Sequence, residues 1–235
     1  MSGETSEIEV TPEVRVPQLV ALDFDRTLGD VTASMERFFL ASGACGIKPE
    51  SIIEAQRAIE ADGGSFDPLP FIQKQLSQQQ LETFYAQFLT EGPPILYPDA
   101  KRLLDSLTQS GVPYHVLTYG VNHKWQELKL YASGYRGSYL VMSTTHKGRE
   151  IAGWQKQGET FSLQDTQRNA KFVAPSVCLI DDKALSFQEL PAGCTGYLLQ
   201  RPGSSMRSQQ GAVTSAIQVI SSLNELYIEH GKLRI

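Results

Sequence analysis

The sequence predicts an α/β protein, with a mostly parallel sheet as its core and an inserted α-helical segment. Three observations predict this fold class. A short apolar run, Leu19 to Leu22, ends at two aspartates; residues 30–92 then show helical periodicity alone; and from Pro98 onward apolar runs alternate with helical patterns. Alternation of this kind favours parallel strands covered by helices on both faces. A chain of 235 residues is long enough for such a core with one insertion.

The first strand and the first helix follow directly from residue spacing. The stretch "QLVALDF", residues 18–24, is short, apolar and bounded by polar residues, which is typical of a buried strand. Asp30 or Thr32 can then cap a helix. Its apolar positions Met35, Phe38 and Phe39 have the spacing of one helical face.

Further helices fill the rest of the inserted segment. A second helix is predicted near residues 50–61, and "GGSFDPLP" interrupts the chain after it. Ser77 and Gln80 form a capping box that begins a third helix. Its apolar stripe runs from Leu81 to Leu89, and "EGPP" ends the segment. No strand is predicted between residues 30 and 92.

The remainder of the chain is predicted to alternate between helices and strands. The predicted elements, in order, are a helix from Pro98 to Gly111, a strand at "PYHVLT", a helix over 121–133, a strand at "SYLVMS", a helix at "KGREIAGWQKQ", a strand at "SVCLI", a short helix within "DDKALSFQEL", a strand at "TGYLLQ" and a C-terminal helix at "AVTSAIQVISSLNELYIEH". The predicted organisation is a flexible N-terminal tail over residues 1–17, a core formed by 18–29 and 93–235, and a helical cap over 30–92.

Composition excludes several classes of protein. The net charge of −5 argues against a sequence-independent nucleic-acid binder, which usually has a basic surplus. The chain contains no run of about 20 apolar residues such as a membrane helix needs, and its polar N-terminus lacks the apolar stretch of a signal peptide. Cys45, Cys178 and Cys194 are far apart and odd in number, which favours free thiols in a reducing compartment. We therefore expect a cytoplasmic protein that binds neither membranes nor nucleic acid.

Carboxylates follow two of the predicted strands. Asp23 and Asp25 end the first strand, and Asp181 and Asp182 end the "SVCLI" strand. Ligands of open parallel sheets bind at the carboxyl ends of the strands, so these side chains are expected to meet. Carboxylates this close repel one another, which should raise one pKa of the first pair. A divalent cation relieves the repulsion, and carboxylate oxygens suit Mg²⁺.

These residues resemble the motifs of the haloacid dehalogenase (HAD) superfamily, whose members are mostly Mg²⁺-dependent phosphohydrolases with a Rossmann-like core. "DFDRT" is similar to the family's DxDxT, and Thr118 in "HVLTYG" to the hydroxyl that ends the second strand. Lys147 in "TTHKG" resembles the lysine motif, and "LIDD" the acidic motif on the fourth strand. The four motifs follow the family's order over residues 19–182. The helical segment after the first motif is similar to the family's cap.

The resemblance implies a role for each residue. Asp23 would be the nucleophile that forms an aspartyl phosphate, and Asp25 the general acid and then the base, a role that suits a raised pKa. Thr118 and backbone N–H groups would hold the phosphoryl oxygens, and Lys147 would neutralise charge on the nucleophile. The substrate would also border the loop residues, which are Phe24, Arg26, Thr27, Tyr119 and Gly120.

The resemblance also implies a Mg²⁺ site. Its ligands would be Asp23, the backbone carbonyl of Asp25, and one or both of Asp181 and Asp182. Asp182 is favoured as the direct ligand because it stands where the family more often has the Asp of Gly-Asp.

Some positions depart from the family pattern and leave alternatives open. Arg26 stands where glycine is most common, so it could reach a substrate anion or pair with an acidic cap residue. Lys147 lies 35 residues before Asp182 (182 − 147), which is longer than the usual gap. Lys171 and Lys124 are therefore alternatives for the lysine motif.

Two smaller expectations concern the loops. Thr27 is expected to hydrogen-bond within its own loop, where it would orient the neighbouring residues. Substrate choice is assigned to Phe66, Asp67 and Arg26, because the cap is expected to select the substrate.

The predicted activity is hydrolysis of a small phosphorylated metabolite. Phosphoryl transfer to another hydroxyl, as in mutases, remains an alternative, as does a non-catalytic phospholigand-binding or regulatory protein. The presence of both Asp23 and Asp25 argues against the dehalogenase branch, which lacks the second aspartate. The sequence leaves the substrate and the oligomeric state open.

Overall fold

A computed structural model describes residues 13–61, 66–156, 160–165, 169–202 and 217–235. The strands are β1 (Glu13–Arg15), β2 (Leu19–Leu22), β3 (Tyr114–Tyr119), β4 (Ser138–Met142), β5 (Gln155–Lys156), β6 (Thr160–Asp165), β7 (Ala170–Ala174), β8 (Val177–Asp181), β9 (Thr195–Leu199), β10 (Ile217–Ile220), β11 (Tyr227–Glu229) and β12 (Lys232–Arg234). The α-helices are α1 (Val31–Ala44), α2 (Pro49–Ala61), α3 (Pro68–Gln73), α4 (Gln78–Thr90), α5 (Pro98–Gln109), α6 (His123–Ala132) and α7 (Lys147–Gly153).

The central sheet has six parallel strands in the order β10-β9-β8-β2-β3-β4. The chain runs from β2 to β3 on one side, whereas β8 lies on the other side of β2. The strand order therefore reverses at β2, and the crevice at such a reversal is where open α/β sheets bind ligands. The predicted α/β fold with a parallel Rossmann-like sheet is confirmed.

Alternate residues of the strands face two separate apolar clusters. Val20, Leu22 and Val116 pack towards α5, α6 and the helical segment. Leu19 and Leu117 face the opposite way, towards α7 and a second sheet with the order β1-β7-β6-β5. Helices were expected on both faces, but this small sheet covers much of the second one.

Helices α1 to α4 follow β2, and no strand lies among the residues of the inserted segment that the structure describes. The side chain of Asp30 accepts a hydrogen bond from the Thr32 N–H at 2.8 Å and so caps α1. Ser77 and Gln80 form the predicted capping box of α4. The segment is held on the core by aromatic packing, because the ring centroid of Phe38 lies 5.7 Å from that of Trp125 on α6.

Two predictions about the ends of the chain are wrong. Residues 13–15 were assigned to a flexible tail, but they form β1, which pairs in parallel with β7. Residues 217–220 were assigned to a C-terminal helix, but they form β10 beside β9. The β-branched residues of "IQVI" suit this open sheet edge, and that tertiary pairing overrides the helical spacing. Residues 1–12 and 211–216 lie outside the described residues.

The region after α7 also differs from the prediction. The helix predicted at "KGREIAGWQKQ" ends at Gly153, and β5 follows. β6 and β7, which pair antiparallel, were not predicted. The structure further shows a hairpin of β11 and β12, whose turn places His230 and Gly231 at φ 49° and 72°. Positive φ at both central residues is typical of a type I′ hairpin turn.

Cys45, Cys178 and Cys194 are all buried free thiols, as predicted. Within the described part of the chain, none of the helices has the length and apolar character required to span a bilayer.

Candidate active site

Three carboxylates meet where β2 and β8 end side by side. Asp23 follows β2 directly, Asp181 is the last residue of β8, and Asp182 comes next. One oxygen from each of the three lies within 4.8 Å of the others. The two parallel strands are paired in register, so their carboxyl ends bring these residues to one edge, as the sequence predicts.

A buried lysine joins two of these carboxylates. Lys147 begins α7 and is 3% exposed. Its Nζ donates a hydrogen bond to Asp23 Oδ1 and another to Asp181 Oδ2, the latter at 2.5 Å. Of the alternatives, Lys171 instead bonds Glu13 at 2.8 Å on the small sheet, and Lys124 is exposed on α6. Lys147 is therefore the one of the three candidates for which the structure shows contacts with the carboxylates.

Burial and the charges within this cluster shift the pKa values of its members. Burial raises the pKa of Asp23 to about 7, with Lys147 opposing the shift and Asp181 and Asp182 adding to it. Burial, together with the charge of Asp181, raises the pKa of Asp182 to about 6. Burial alone would lower the pKa of Lys147, but Asp181 and Asp23 outweigh it and raise that pKa. Three carboxylates with one ammonium group leave an excess of negative charge that a cation would balance.

Two buried carboxylate oxygens have no partner among the described residues. These atoms are Asp23 Oδ2 and Asp182 Oδ1. By contrast, Asp181 is fully engaged: its Oδ1 accepts from the Lys183 N–H at 2.8 Å, and its Oδ2 accepts from Lys147. Buried polar atoms without partners are costly and rare in proteins. Free oxygens on two close carboxylates fit a hard divalent cation such as Mg²⁺.

Asp25 has a separate set of partners on α6. Both of its oxygens accept hydrogen bonds from Lys129 Nζ, at 2.5 and 2.6 Å. Gln126 Nε2 also donates to Asp25 Oδ2, at 3.2 Å. The Asp25 side chain is 27% exposed, whereas the Lys129 side chain is 5% exposed. Asp25 is thus the carboxylate of the DxDxT motif that reaches solvent.

Gln126 also connects the end of β3 to this arrangement. Thr118 is buried, and its hydroxyl donates to Gln126 Oε1 at 3.3 Å. Gln126 Nε2 donates to the Tyr119 carbonyl at 2.9 Å. A Cβ at Gly120 would overlap this side chain, with Gln126 Nε2 only 2.8 Å away. Gly120 was assigned to substrate binding, but its N–H already donates to the Met142 carbonyl at 3.1 Å and its lack of a side chain makes room for Gln126.

The loop after Asp23 is tightly held. The side chain of Phe24 is fully buried in the core, so only its backbone could border a substrate. Arg26 is exposed and adopts φ 65°, a left-handed conformation that glycine adopts without strain. Its N–H donates to the Gly29 carbonyl at 2.7 Å. Thr27 was expected to hydrogen-bond within this loop; that prediction is wrong, because its buried Oγ1 has no partner among the described residues.

Arg201 braces the same loop from the end of β9. Its guanidinium donates to the carbonyls of Arg26 and Thr27, at 3.1 and 2.8 Å. It also forms a bidentate pair with Asp99 on α5, with both distances 3.0 Å, and its centre lies 3.9 Å from the Tyr97 ring centroid. The left-handed turn at Arg26 is therefore held in place by hydrogen bonds from Arg201, which is itself paired with Asp99.

The two cap residues proposed to select substrate have local partners. Asp67 caps α3 by accepting from the Leu69 N–H at 3.2 Å, and Phe66 lies 5.9 Å from Phe71 between ring centroids. Both residues therefore make structural contacts inside the helical segment.

Sequence reasoning missed Lys129, Gln126 and Arg201. A signal for Lys129 was present, because Trp125, Leu128, Lys129 and Ala132 have the i, i+3, i+4, i+7 spacing of a core-facing helical stripe. A lysine inside such a stripe needs a buried partner. Arg201 lies in a loop and had no comparable signal.

The comparisons with known proteins identify the fold. No protein-family model matches the chain, and no curated protein matches its sequence. A HAD-type hydrolase from Bacillus subtilis, whose crystal structure with bound magnesium reveals interdomain movement, shares 15% identity with a TM-score of 0.50. The alignment covers 89% of this chain and 96% of that one.

Two further solved structures have lower TM-scores. A haloacid dehalogenase-like hydrolase from Burkholderia xenovorans shares 18% identity at a TM-score of 0.49, over 78% of this chain and 84% of that one. One from Xanthomonas campestris shares 13% identity at 0.47, over 89% and 92%. The likeness to the Bacillus subtilis protein shows that this chain has the HAD-like fold.

Proposed function

We propose that this chain, which has the fold of the HAD hydrolases, is a Mg²⁺-dependent phosphomonoester hydrolase that works through an aspartyl-phosphate intermediate. The observation that carries the proposal is the pair of buried, unpartnered oxygens on Asp23 and Asp182. They lie at the strand-order reversal of the sheet, beside the motifs that resemble those of the family's phosphohydrolases.

The proposed metal ligands are Asp23, Asp182 and the backbone carbonyl of Asp25. Asp181 serves as a bridge instead, because both of its oxygens already accept hydrogen bonds from Lys147 and Lys183. When bound, Mg²⁺ would neutralise carboxylate charge and stabilise charge on the phosphoryl oxygens.

In the proposed first step, a carboxylate oxygen of Asp23 attacks phosphorus, and the bond from phosphorus to the substrate oxygen breaks. Asp25 gives its proton to the leaving oxygen. Lys147 compensates the charge on Asp23 and on the transferring group, since its ammonium contacts that carboxylate. Thr118 lies near the end of β3, where its hydroxyl hydrogen-bonds Gln126, and we propose that this hydroxyl turns towards a phosphoryl oxygen when the substrate binds.

In the second step, Asp25 removes a proton from a water molecule that attacks phosphorus of the aspartyl phosphate. The bond between phosphorus and the Asp23 oxygen breaks, which releases phosphate and restores both carboxyl groups. Asp25 suits this exchange because it is the more exposed carboxylate of the motif. The helical segment packs on α6, the helix whose Lys129 contacts Asp25, and we propose that it acts as a cap that excludes water during the first step.

The test is phosphate release from p-nitrophenyl phosphate and a panel of small phosphorylated metabolites. Wild type and Asp23→Asn are compared with Mg²⁺ and with EDTA. We expect turnover that needs Mg²⁺ and is lost in the variant. A set of acceptor alcohols distinguishes hydrolysis from phosphoryl transfer, and 2-chloroacetate tests for halide release, which we expect to be absent. A folded wild type that releases no phosphate with Mg²⁺ from any substrate would refute the proposal.

A further inference from the structure

A buried lysine lies outside the four motifs. Lys129 is 4% exposed, and the carboxylate that it contacts is Asp25, through both oxygens. Its Nζ also lies 5.9 Å from the Phe24 ring centroid and 5.7 Å from that of Trp125. Burying an ammonium group is unfavourable unless it is paired and held by its surroundings. A single well-placed carboxylate and two aromatic faces meet this need.

Charge compensation of the carboxylate cluster does not explain Lys129. That task falls to Lys147, which begins α7 and contacts both Asp23 and Asp181. Lys129 comes from α6 and contacts Asp25 alone among the site carboxylates that the structure describes. Lys147 therefore compensates the charge of the carboxylate cluster, whereas Lys129 contacts the separate carboxylate of Asp25.

Gln126 stands one helical turn before Lys129 and holds the same carboxylate. Its amide links three groups: the Thr118 hydroxyl, the Tyr119 carbonyl and Asp25 Oδ2. Three hydrogen bonds leave the amide little rotational freedom. Gly120 permits this close approach, as a Cβ there would overlap Gln126.

Helix α6 is itself well anchored. Asn122 caps its first turn by accepting from the Trp125 N–H at 3.3 Å. The ring of Trp125 packs 5.7 Å from Phe38 and 5.2 Å from Phe88, between centroids. Lys129 and Gln126 thus project from a fixed element, which is what orienting a carboxylate requires.

We propose that Lys129, assisted by Gln126, is a positioning residue that orients the Asp25 carboxyl group, which gives its proton to the leaving group in the first step and regains a proton from water in the second. The inference rests on the proposed function and deepens it. With both oxygens bound by one ammonium group, the carboxylate has a single orientation relative to Asp23. A misplacement of about 1 Å near the reacting atoms can lower a rate by about 100-fold.

The test compares Lys129→Met with Lys124→Met, a matched control on the exposed face of the same helix. Two substrates are used: p-nitrophenyl phosphate, whose leaving group departs readily without a proton, and an alkyl phosphate, whose leaving group needs one. We expect Lys129→Met to lower kcat for the alkyl phosphate by about 100-fold and to lower it much less for p-nitrophenyl phosphate. Lys124→Met should behave as wild type, and Lys129→Arg should recover part of the loss.

Combination with Asp25→Asn shows whether Lys129 acts through Asp25. We expect Lys129→Met to cause no further loss in the Asp25→Asn background, because no proton donor is left to position. An equal loss for both substrates, or an additive loss in the double variant, would overturn the inference in favour of a general structural role.

A crystal structure of Lys129→Met supplies a readout that does not need activity. We expect the Asp25 carboxylate to turn away or lose its fixed orientation while β2 and α6 stay in place. An unmoved Asp25 would overturn the inference even if the phosphatase proposal held. Conversely, a displaced Asp25 in a protein without phosphatase activity would support the positioning role and refute only the proposed reaction.

Discussion

Two polar clusters lie near strand β3, and they differ in how many of their polar atoms have hydrogen-bond partners. The inner cluster consists of His115, Ser138 and Asp165, which are all buried. The edge cluster consists of Asp23, Asp181, Asp182 and Lys147. Thr118, at the end of β3 near the edge cluster, is only three residues from His115.

The buried polar atoms of the inner cluster are satisfied within the protein. His115 Nδ1 hydrogen-bonds the Ser138 hydroxyl, which lies opposite it in the pairing of β3 and β4. Asp165 acts on His115 through its charge, and Trp154 packs edge-on against the imidazole at 5.8 Å between centroids. No side-chain atom of these three residues is among the buried, unpartnered atoms of the described chain.

The edge cluster is incomplete, since Asp23 Oδ2 and Asp182 Oδ1 have no partner in the described residues. The comparison teaches how to interpret buried polar groups. A cluster that satisfies itself holds elements of the fold together, whereas a cluster with unpartnered oxygens and excess negative charge indicates a ligand. Substitutions in the two clusters should therefore have opposite consequences for activity and stability.

The largest expected effect concerns activity at the edge cluster. Asp23→Asn should lower kcat by at least about 10⁴-fold, because an amide cannot replace the carboxylate that attacks phosphorus in the proposed reaction. The measurement is steady-state phosphate release with Mg²⁺, together with circular dichroism to show that the variant is folded.

The matched substitution in the inner cluster is His115→Gln. It should leave kcat with p-nitrophenyl phosphate near that of wild type, since His115 touches none of the site carboxylates. If His115→Gln abolished turnover as completely as Asp23→Asn in a folded protein, the distinction between the two clusters would be wrong.

The next effect is the pH dependence of stability from the inner cluster. Burial, opposed by the charge of Asp165, lowers the pKa of His115 from 6.5 to about 4. Unfolded chains bind a proton at this histidine below pH 6.5, whereas the folded protein does so only near pH 4. The stabilising contribution is therefore complete above pH 6.5 and is lost as the pH falls towards 4. It corresponds to about 3 kcal/mol of unfolding free energy.

Urea unfolding of wild type and His115→Gln between pH 4 and 8 measures this contribution. The free energy of unfolding of the variant should fall less steeply below pH 6.5 than that of wild type, because the residue that gains a proton on unfolding is gone. His123→Gln, at an exposed histidine on α6, is the control and should retain the wild-type slope. Parallel curves for wild type and His115→Gln would show that the imidazole is not held neutral.

The third effect is stabilisation of the edge cluster by Mg²⁺. A ligand present at 100 times its Kd raises the free energy of unfolding by about 2.7 kcal/mol. Wild type should therefore melt at higher temperature with Mg²⁺ than with EDTA. Asp182→Asn should lose most of that increase, because an uncharged amide is a much weaker ligand for Mg²⁺ than a carboxylate.

Asp105→Asn, at an exposed carboxylate, is the matched control and should keep the full Mg²⁺ response. Without metal, Asp182→Asn should melt slightly higher than wild type, since burial disfavours the charged carboxylate there. An unchanged Mg²⁺ response in Asp182→Asn would move the metal site elsewhere.

The carboxylates of the edge cluster could be predicted from sequence because each ends or follows a strand of the parallel sheet. Asp23 and Asp181 follow apolar runs, and the sheet rule brings the ends of such strands together. Lys147 was predicted through its motif, although its gap to Asp182 is long. The extra length is now explained, because β5, β6 and β7 lie between α7 and β8.

The partners of Asp25 could not be predicted in the same way. Lys129 is 104 residues from Asp25 along the chain, and contact between them depends on how α6 packs on the sheet. The inner cluster could not be predicted for a similar reason. Asp165 lies on β6, a strand of the small sheet that the hydrophobic periodicity did not indicate. Local patterns report strands and helices, whereas contacts between layers depend on packing that no single segment encodes.

The smallest expected effects come from one hydroxyl in each cluster. Ser138→Ala leaves His115 Nδ1 buried without its partner, which should lower the free energy of unfolding by about 1 to 2 kcal/mol and leave kcat near wild type. Thr118→Val removes a hydroxyl at the active edge, so it should lower kcat by about 10-fold with at most about 1 kcal/mol of stability lost. Urea unfolding measures the change in stability of both variants, and steady-state kinetics measures the change in kcat. If Ser138→Ala reduced kcat and Thr118→Val reduced only stability, the assignment of catalysis to one end of β3 and of structure to the other would have to be reversed.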